Sequence, residues 1–278
     1  MTPVFSHPSI RLRAGDWPDL LGPSAEDFAS KEGILRREWI MSDDFSLSPR
    51  WLESAPLFPK MFWRSRSGGF PILAFGQVAS GSVSELSDLL ANSDAGIRLF
   101  GGARFAQTSD TDQWPFPTNF YFVPKAEVTR VGASTMLAIH FTREDLETSA
   151  VAAWIAGLDG MAKLRKPGVL TRGDRPPFSQ WSEAVNLALQ KISSRLLEKV
   201  VLARQSTFEL AEKITPYALL GLIMGETPSC FHFCFEPTKE SGAFLGASPE
   251  QLYRRVGRNL ESEAVAGTRP RSLDPAED

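Results

Sequence analysis

The residues best suited to metal or thiol chemistry stand together in one run, Cys230-Phe231-His232-Phe233-Cys234, which holds both cysteines of the chain. Side chains of a β-strand alternate between faces, so Cys230, His232 and Cys234 share one face and the phenylalanines the other. In residue type this is a metal-binding trio. Its spacing argues against that chemistry, because same-face neighbours on a straight strand lie ~7 Å apart and do not converge on one ion. A disulfide fails for the same reason, since two residues four apart on a strand sit too far from each other to bridge. The run reads as a buried strand face.

The elements around it must come from 278 residues, enough for one large α/β domain or two ordinary ones. Hydrophobic residues make up 42% and charged residues 23%, the proportions of a globular protein with material for a sizeable core. A net charge of −3 and a pI near 5.8 provide no basic field, which argues against nucleic acid as the partner and favours small molecules. The start, Met1 to Arg13, lacks the basic-then-apolar order of a secretory signal, and no stretch reaches the ~18 apolar residues of a membrane span. The expected location is the cytoplasm.

Residues 1–60 show no sustained period and are the least readable part; residues 61–278 carry the pattern. Met61 to Trp63 and Phe70 to Gly76, separated by Ser67-Gly68-Gly69, predict a hairpin. Ser82-Val83-Ser84-Glu85 has the form of a capping box opening a short helix. Strands are expected near Arg98 to Phe100, at Phe120 to Val123, Lys125 to Thr129 and Met136 to Phe141, continuing the sheet as an antiparallel meander. Glu144 to Leu164 has helical composition, and the breaker-rich stretch from Lys166 to Pro177 reads as a surface loop or a seam. After Ser179, a candidate cap, apolar residues at Trp181, Val185, Ala188, Ile192 and Leu196 mark one helix face. Lys199 to Arg204 predicts a strand, Thr215-Pro216 a further helix, and Cys230–Phe235, Ala243–Leu245, Gln251–Arg255 and Leu260–Ala264 the closing strands.

Four segments in this order carry a resemblance: Phe100-Gly101-Gly102-Ala103-Arg104-Phe105, Lys199-Val200-Val201-Leu202-Ala203-Arg204, Phe244-Leu245-Gly246-Ala247-Ser248-Pro249-Glu250, and Glu263-Ala264-Val265-Ala266-Gly267-Thr268-Arg269-Pro270-Arg271. Together they resemble the chorismate-utilising enzymes, and within these the isochorismate synthases of quinone pathways. The resemblance spans roughly residues 60–273. It implies an α/β fold with a largely antiparallel sheet core and helices packed outside, incomplete here at its C-terminal end. Members that add water to chorismate have a lysine at the position of Lys199, whereas those that add ammonia do not. Ala266 stands where one type of aminodeoxychorismate synthase has a nucleophilic lysine, and Glu263 is similar to the quinone-pathway and plant isochorismate synthases.

The reaction so implied moves a hydroxyl: water attacks C2 of chorismate, the double bonds shift and the C4 hydroxyl leaves. The resemblance gives Lys199 the part of general base and Glu250 that of general acid. A lysine at its ordinary pKa of ~10.4 is protonated at neutral pH, so a base needs desolvation or a nearby cation, while an acid of ordinary pKa ~4.3 needs burial or a neighbouring anion to keep its proton. Gly267 and Thr268 are implied to line the chorismate site, where a glycine admits close backbone approach and a threonine hydroxyl can bond a carboxylate; by themselves they read as a turn. Arg269 and Arg271 either steer an anionic substrate or are surface charge.

The family's domain continues beyond Asp278 with the carboxylates that hold Mg²⁺, so Mg²⁺ is implied as cofactor and its ligands are expected in the missing part. Salicylate formation with loss of pyruvate, and a truncated fragment that binds chorismate without turning it over, remain as alternatives. Exposed apolar edges are expected, with a monomer or weak homo-oligomer.

Overall fold

The computed structural model describes residues 10–11, 22–28, 33–41, 47–66, 71–104, 116, 118–132, 134–158 and 164–263. It divides into two compact units, Met1–Ala162 together with Pro216–Asp278, and Lys163–Thr215. The first unit begins with β1 (Ile10–Arg11), β2 (Leu35–Met41), β3 (Lys60–Arg64), β4 (Ile72–Phe75), β5 (Ala79–Gly81), helix α1 (Val83–Ala91), β6 (Phe100–Ala103), β7 (Asn119–Val123), β8 (Ala126–Val131), β9 (Ser134–Phe141) and helix α2 (Ser149–Ala156). The second unit holds β10 (Val169–Arg175), α3 (Phe178–Ser193) and β11 (Gln205–Leu210). The chain then returns with α4 (Pro216–Glu226), β12 (Phe231–Glu236), β13 (Phe244–Ser248), β14 (Arg254–Val256) and β15 (Asn259–Glu261).

An eight-stranded sheet in the order β1-β2-β9-β8-β4-β3-β12-β13 dominates the first unit. The short β1 runs parallel to β2, and the remaining pairs are antiparallel. The expected α/β architecture with a largely antiparallel sheet is therefore present. The predicted hairpin is β3 and β4, paired from Lys60↔Phe75 to Trp63↔Ile72; its turn, Ser67 to Phe70, lies outside the described residues. The capping box of α1 is formed as well. Ser82 Oγ accepts from the Glu85 N–H at 3.3 Å and the Glu85 carboxylate accepts from the Ser82 N–H at 2.9 Å.

Several expectations need correction. β6 and β7 do not continue the main sheet; with β5 they form a separate three-stranded sheet in the order β5-β7-β6. Gly101 makes that pairing possible, because a Cβ there would lie 2.0 Å from the Phe120 carbonyl oxygen. The long helix expected from Glu144 shrinks to α2, closed at Gly157. Part of the breaker-rich stretch, Gly173 to Arg175, belongs to a strand, β10, whose polar residues find partners across the ladder: the Ser206 hydroxyl donates to Asp174 at 2.5 Å and the Thr171 hydroxyl to Glu209 at 3.2 Å. Ser179 is not the cap of α3, which starts one residue earlier behind Pro177. Lys199 to Arg204 is not a strand. The β10–β11 ladder ends at Arg175↔Gln205, because the next residue of β10 would be Pro176, which has no N–H to pair.

The main core lies on one face of the large sheet. Trp154 of α2 packs edge-on against Phe75 with ring centroids 4.5 Å apart and donates its indole N–H to the Trp51 carbonyl at 3.0 Å, so this bulky buried side chain leaves no polar atom stranded. α4 adds Tyr217 and Leu220, both fully buried, against this face. In the second unit no residue of α3 is fully buried, and Phe178, Leu187 and Leu189 are exposed. No helix among the described residues is long and apolar enough to cross a membrane.

A buried polar network crosses β2, β8 and β9. The Arg36 guanidinium pairs with Glu127 at 2.8 Å and lies 2.9 Å from His140 Nε2, while His140 Nδ1 is 2.8 Å from the Pro124 carbonyl. With Arg36 donating to Nε2, His140 is neutral and carries its proton on Nδ1. Burial holds its pKa down at about 4, against an ordinary value of 6.5. The unfolded chain therefore takes up this proton first, so stability is full above pH 6.5 and falls as the pH drops toward 4, by about 3 kcal/mol at most from this group. Chemical denaturation at pH 7, 5.5 and 4.5 should show that decline, and His140→Gln should flatten it.

Candidate active site

The geometry of the site begins with the strand run noted for its cysteines. β12 lies between β3 and β13, with Phe233 opposite Trp63 on one side and opposite Gly246 on the other. The predicted alternation holds along it. His232 and Cys234 are fully buried on the core face, while Phe231, Phe233 and Phe235 are half-buried on the other. Cys230 stands just before the strand, its N–H bonded to the Thr227 carbonyl at 3.1 Å. Cys234 packs beside Tyr217, and burial pushes its thiol up to about 12, which makes it inert as a nucleophile. His232 Nε2 lies 3.0 Å from the Thr227 hydroxyl. The three side chains of the suspected trio thus have separate environments.

The phenylalanine face is where a ligand can sit. Phe235 is drawn into the aromatic cluster of the three-stranded sheet, 5.6 Å from Phe120 between ring centroids. Phe231 and Phe233, with Trp63 from β3, instead floor an open cavity of about 910 Å³. That is the size of a small-molecule site. Gly246 is what lets Phe233 lie flat there, since a Cβ at this position would meet the ring at 2.9 Å.

Glu250 lines this cavity from the turn that follows β13, and its side chain is exposed. The turn is held locally by Ser248, whose hydroxyl accepts from the Glu250 N–H at 3.3 Å and donates to the Glu250 carbonyl at 3.1 Å. Arg66, just beyond β3, and Glu263, just beyond β15, close the same rim and form an ion pair with each other. The Arg66 guanidinium also lies over the Phe231 ring, 5.4 Å from its centroid. Sequence reasoning brought forward Glu250 and Glu263 but not Trp63, Arg66 or the phenylalanines as lining. The alternation of Phe231 and Phe233 was the available signal for the floor; Arg66, alone in a serine-flanked turn, offered none.

Lys199 belongs to the second unit, where it is exposed in the connection between α3 and β11. It does not sit on a strand, contrary to expectation. Gly267, Thr268, Arg269 and Arg271 lie outside the described residues. Among the described residues no group of three or more His, Cys, Asp or Glu is placed to hold a metal ion. Glu263 is engaged by Arg66 and by the Gln251 N–H, and Glu261 by Arg254, so these carboxylates do not form a Mg²⁺ cage.

The family model described as chorismate binding enzyme matches residues 51–278, which takes in the cavity, Glu250 and Lys199. The chain belongs to the chorismate-binding enzymes. Among curated relatives, isochorismate synthase MenF of Escherichia coli (strain K12) is 27% identical over 226 residues, covering 78% of this chain and 50% of the relative. Isochorismate synthase 2, chloroplastic, of Arabidopsis thaliana is 32% identical over 191 residues, covering 63% of this chain and 34% of that protein. The solved structure of the menaquinone-specific isochorismate synthase MenF from Escherichia coli aligns with a TM-score of 0.70 at 25% identity, over 89% of this chain and 57% of that one. The chain spans about half the length of the curated relatives it matches.

In this chorismate-binding fold the Gly246–Phe233 contact should be costly to crowd. Gly246→Ala should destabilise the protein by about 1–3 kcal/mol, the usual cost of overpacking, and should change the near-ultraviolet signal of the aromatic floor. Denaturant melts with near-ultraviolet circular dichroism check both.

Proposed function

We propose that this chain is the part of an isochorismate synthase that carries the base and the acid of the reaction, with residues 61–278 forming the N-terminal portion of a chorismate-binding domain. The observation that carries the proposal is Glu250 at the edge of an aromatic-floored cavity, in the Ser-Pro-Glu turn after β13. The named relatives that share its sequence are isochorismate synthases, from bacteria and from plants.

In this mechanism Lys199 removes a proton from a water molecule as its oxygen bonds to C2 of chorismate. The double bonds shift, and Glu250 gives a proton to the departing C4 oxygen, which leaves as water. Oxygen and protons balance: one water enters and one leaves. The aromatic floor suits a cyclohexadiene ring, which presents an apolar face to Trp63, Phe231 and Phe233. Gly267 and Thr268 are assigned to the substrate carboxylates. The family resemblance implies Mg²⁺, whose charge would offset that of those carboxylates. The setting proposed is a cytoplasmic enzyme acting on chorismate, monomeric or weakly self-associating.

Glu250→Gln and Lys199→Ala should each lower chorismate turnover by at least about 10²-fold while leaving the thermal midpoint within a few degrees, since both side chains are exposed. Product chromatography with Mg²⁺ present and ammonia absent reads the turnover. Either variant retaining full activity removes that residue from the mechanism.

A further inference from the structure

The catalytic turn is short, exposed and locally held by one serine, yet an acid in proton transfer must be kept within fractions of an ångström of its target. Something beyond Ser248 has to fix it. The two peptide groups on either side of Glu250 show what does. The Pro249 carbonyl, immediately before it, accepts from Arg66 Nη1 at 2.7 Å. The Gln251 N–H, immediately after it, donates to Glu263 Oε2 at 3.4 Å. The same Arg66 pairs through Nη2 with the other oxygen of the same Glu263.

We infer that Arg66 and Glu263 are positioning residues for Glu250, one ion pair gripping the peptide groups before and after the catalytic carboxylate. This presupposes the acid role given to Glu250 above. The geometry requires an arginine, because the planar fork sends one N–H to a carbonyl and another to a carboxylate, and its face rests on Phe231. A lysine would supply a single point charge without that fork. The side chains of the pair are about one-third exposed, 32% and 28%, so the interaction is shielded from solvent on most sides. It also joins three distant parts of the chain, the end of β3, the turn after β13 and the segment after β15. Glu263 therefore has a task in this fold that its place beside the Ala264 to Thr268 motif did not reveal, and Arg66 one that the sequence did not suggest at all.

The test uses the full chain, with Arg66→Ala, Arg66→Lys, Glu263→Ala, Glu263→Gln and the double alanine variant, read in two independent ways. Hydrogen exchange at the Gln251 amide should speed up about tenfold in Glu263→Ala, the size of one charge-assisted hydrogen bond, with β12 and β13 amides unchanged. The double variant should add little to either single one, since both break the same grip. On chorismate, the alanine variants should lose about tenfold in kcat with KM within about twofold, and the acidic limb of the kcat profile should move. Arg66→Lys should fail to restore kcat. Unchanged exchange at Gln251 in the mild variant Glu263→Gln together with Glu263→Ala overturns the grip, as does a loss confined to KM. If Glu250→Gln retains full turnover, the acid role of Glu250 fails, and the exchange readout alone decides whether the pair holds the turn.

Discussion

The pairing of β12 with β3 is the contact on which the rest of the first unit depends. Strands from opposite ends of the chain meet in register from His232↔Arg64 to Glu236↔Lys60. Closing so long a loop is slow to find but adds little standing cost, since loop entropy grows only with the logarithm of length. The pairing is repaid on the core side, where Phe62, Cys234, Tyr217 and Leu220 bury together. On the opposite face it sets Trp63 beside Phe233 and so creates the cavity floor. It also brings the end of β3, with Arg66, to the turn that follows β13. Without that one register there would be no cavity and no grip on Glu250.

The two faces of the sheet divide the labour. One packs the main core, where the Trp154 indole finds its partner in the Trp51 carbonyl. The other is split: Phe235 joins the small sheet at one end, and Phe231 and Phe233 remain open at the other. An aromatic surface left open within a folded unit, rimmed by charged side chains, is suited to the apolar face of a small ring. The cysteines and histidine, chemically the loudest residues of the sequence, have no part in it. Their task is packing.

Much of this was legible in advance, for physical reasons that differ between segments. Alternation along β12 and the hairpin of β3 and β4 follow from period-two patterning, and α1 from its capping box. β10 was hidden because its polar and charged residues find partners such as Ser206, Glu209 and Arg204 on a solvent-exposed ribbon, leaving no hydrophobic period to read. β2 was hidden in an irregular segment, because Arg36 and Glu38 break its pattern yet pair with each other inside the fold. The apolar run after Lys199 misled in the opposite direction: its propensity is for strand, but its would-be partner ends at a proline. Glu250 was found through the resemblance of its motif, while Arg66 could not be, since its meaning arises only from contacts with residues far along the chain.

The proposed role of this fold is addition of water to chorismate in a cavity edged by Glu250. The most direct measurement is to supply chorismate to the folded chain in ¹⁸O-labelled water and locate the label by mass spectrometry. The expected product is isochorismate with one solvent oxygen in its C2 hydroxyl. Isochorismate without label, or salicylate and pyruvate as the products, would contradict that role.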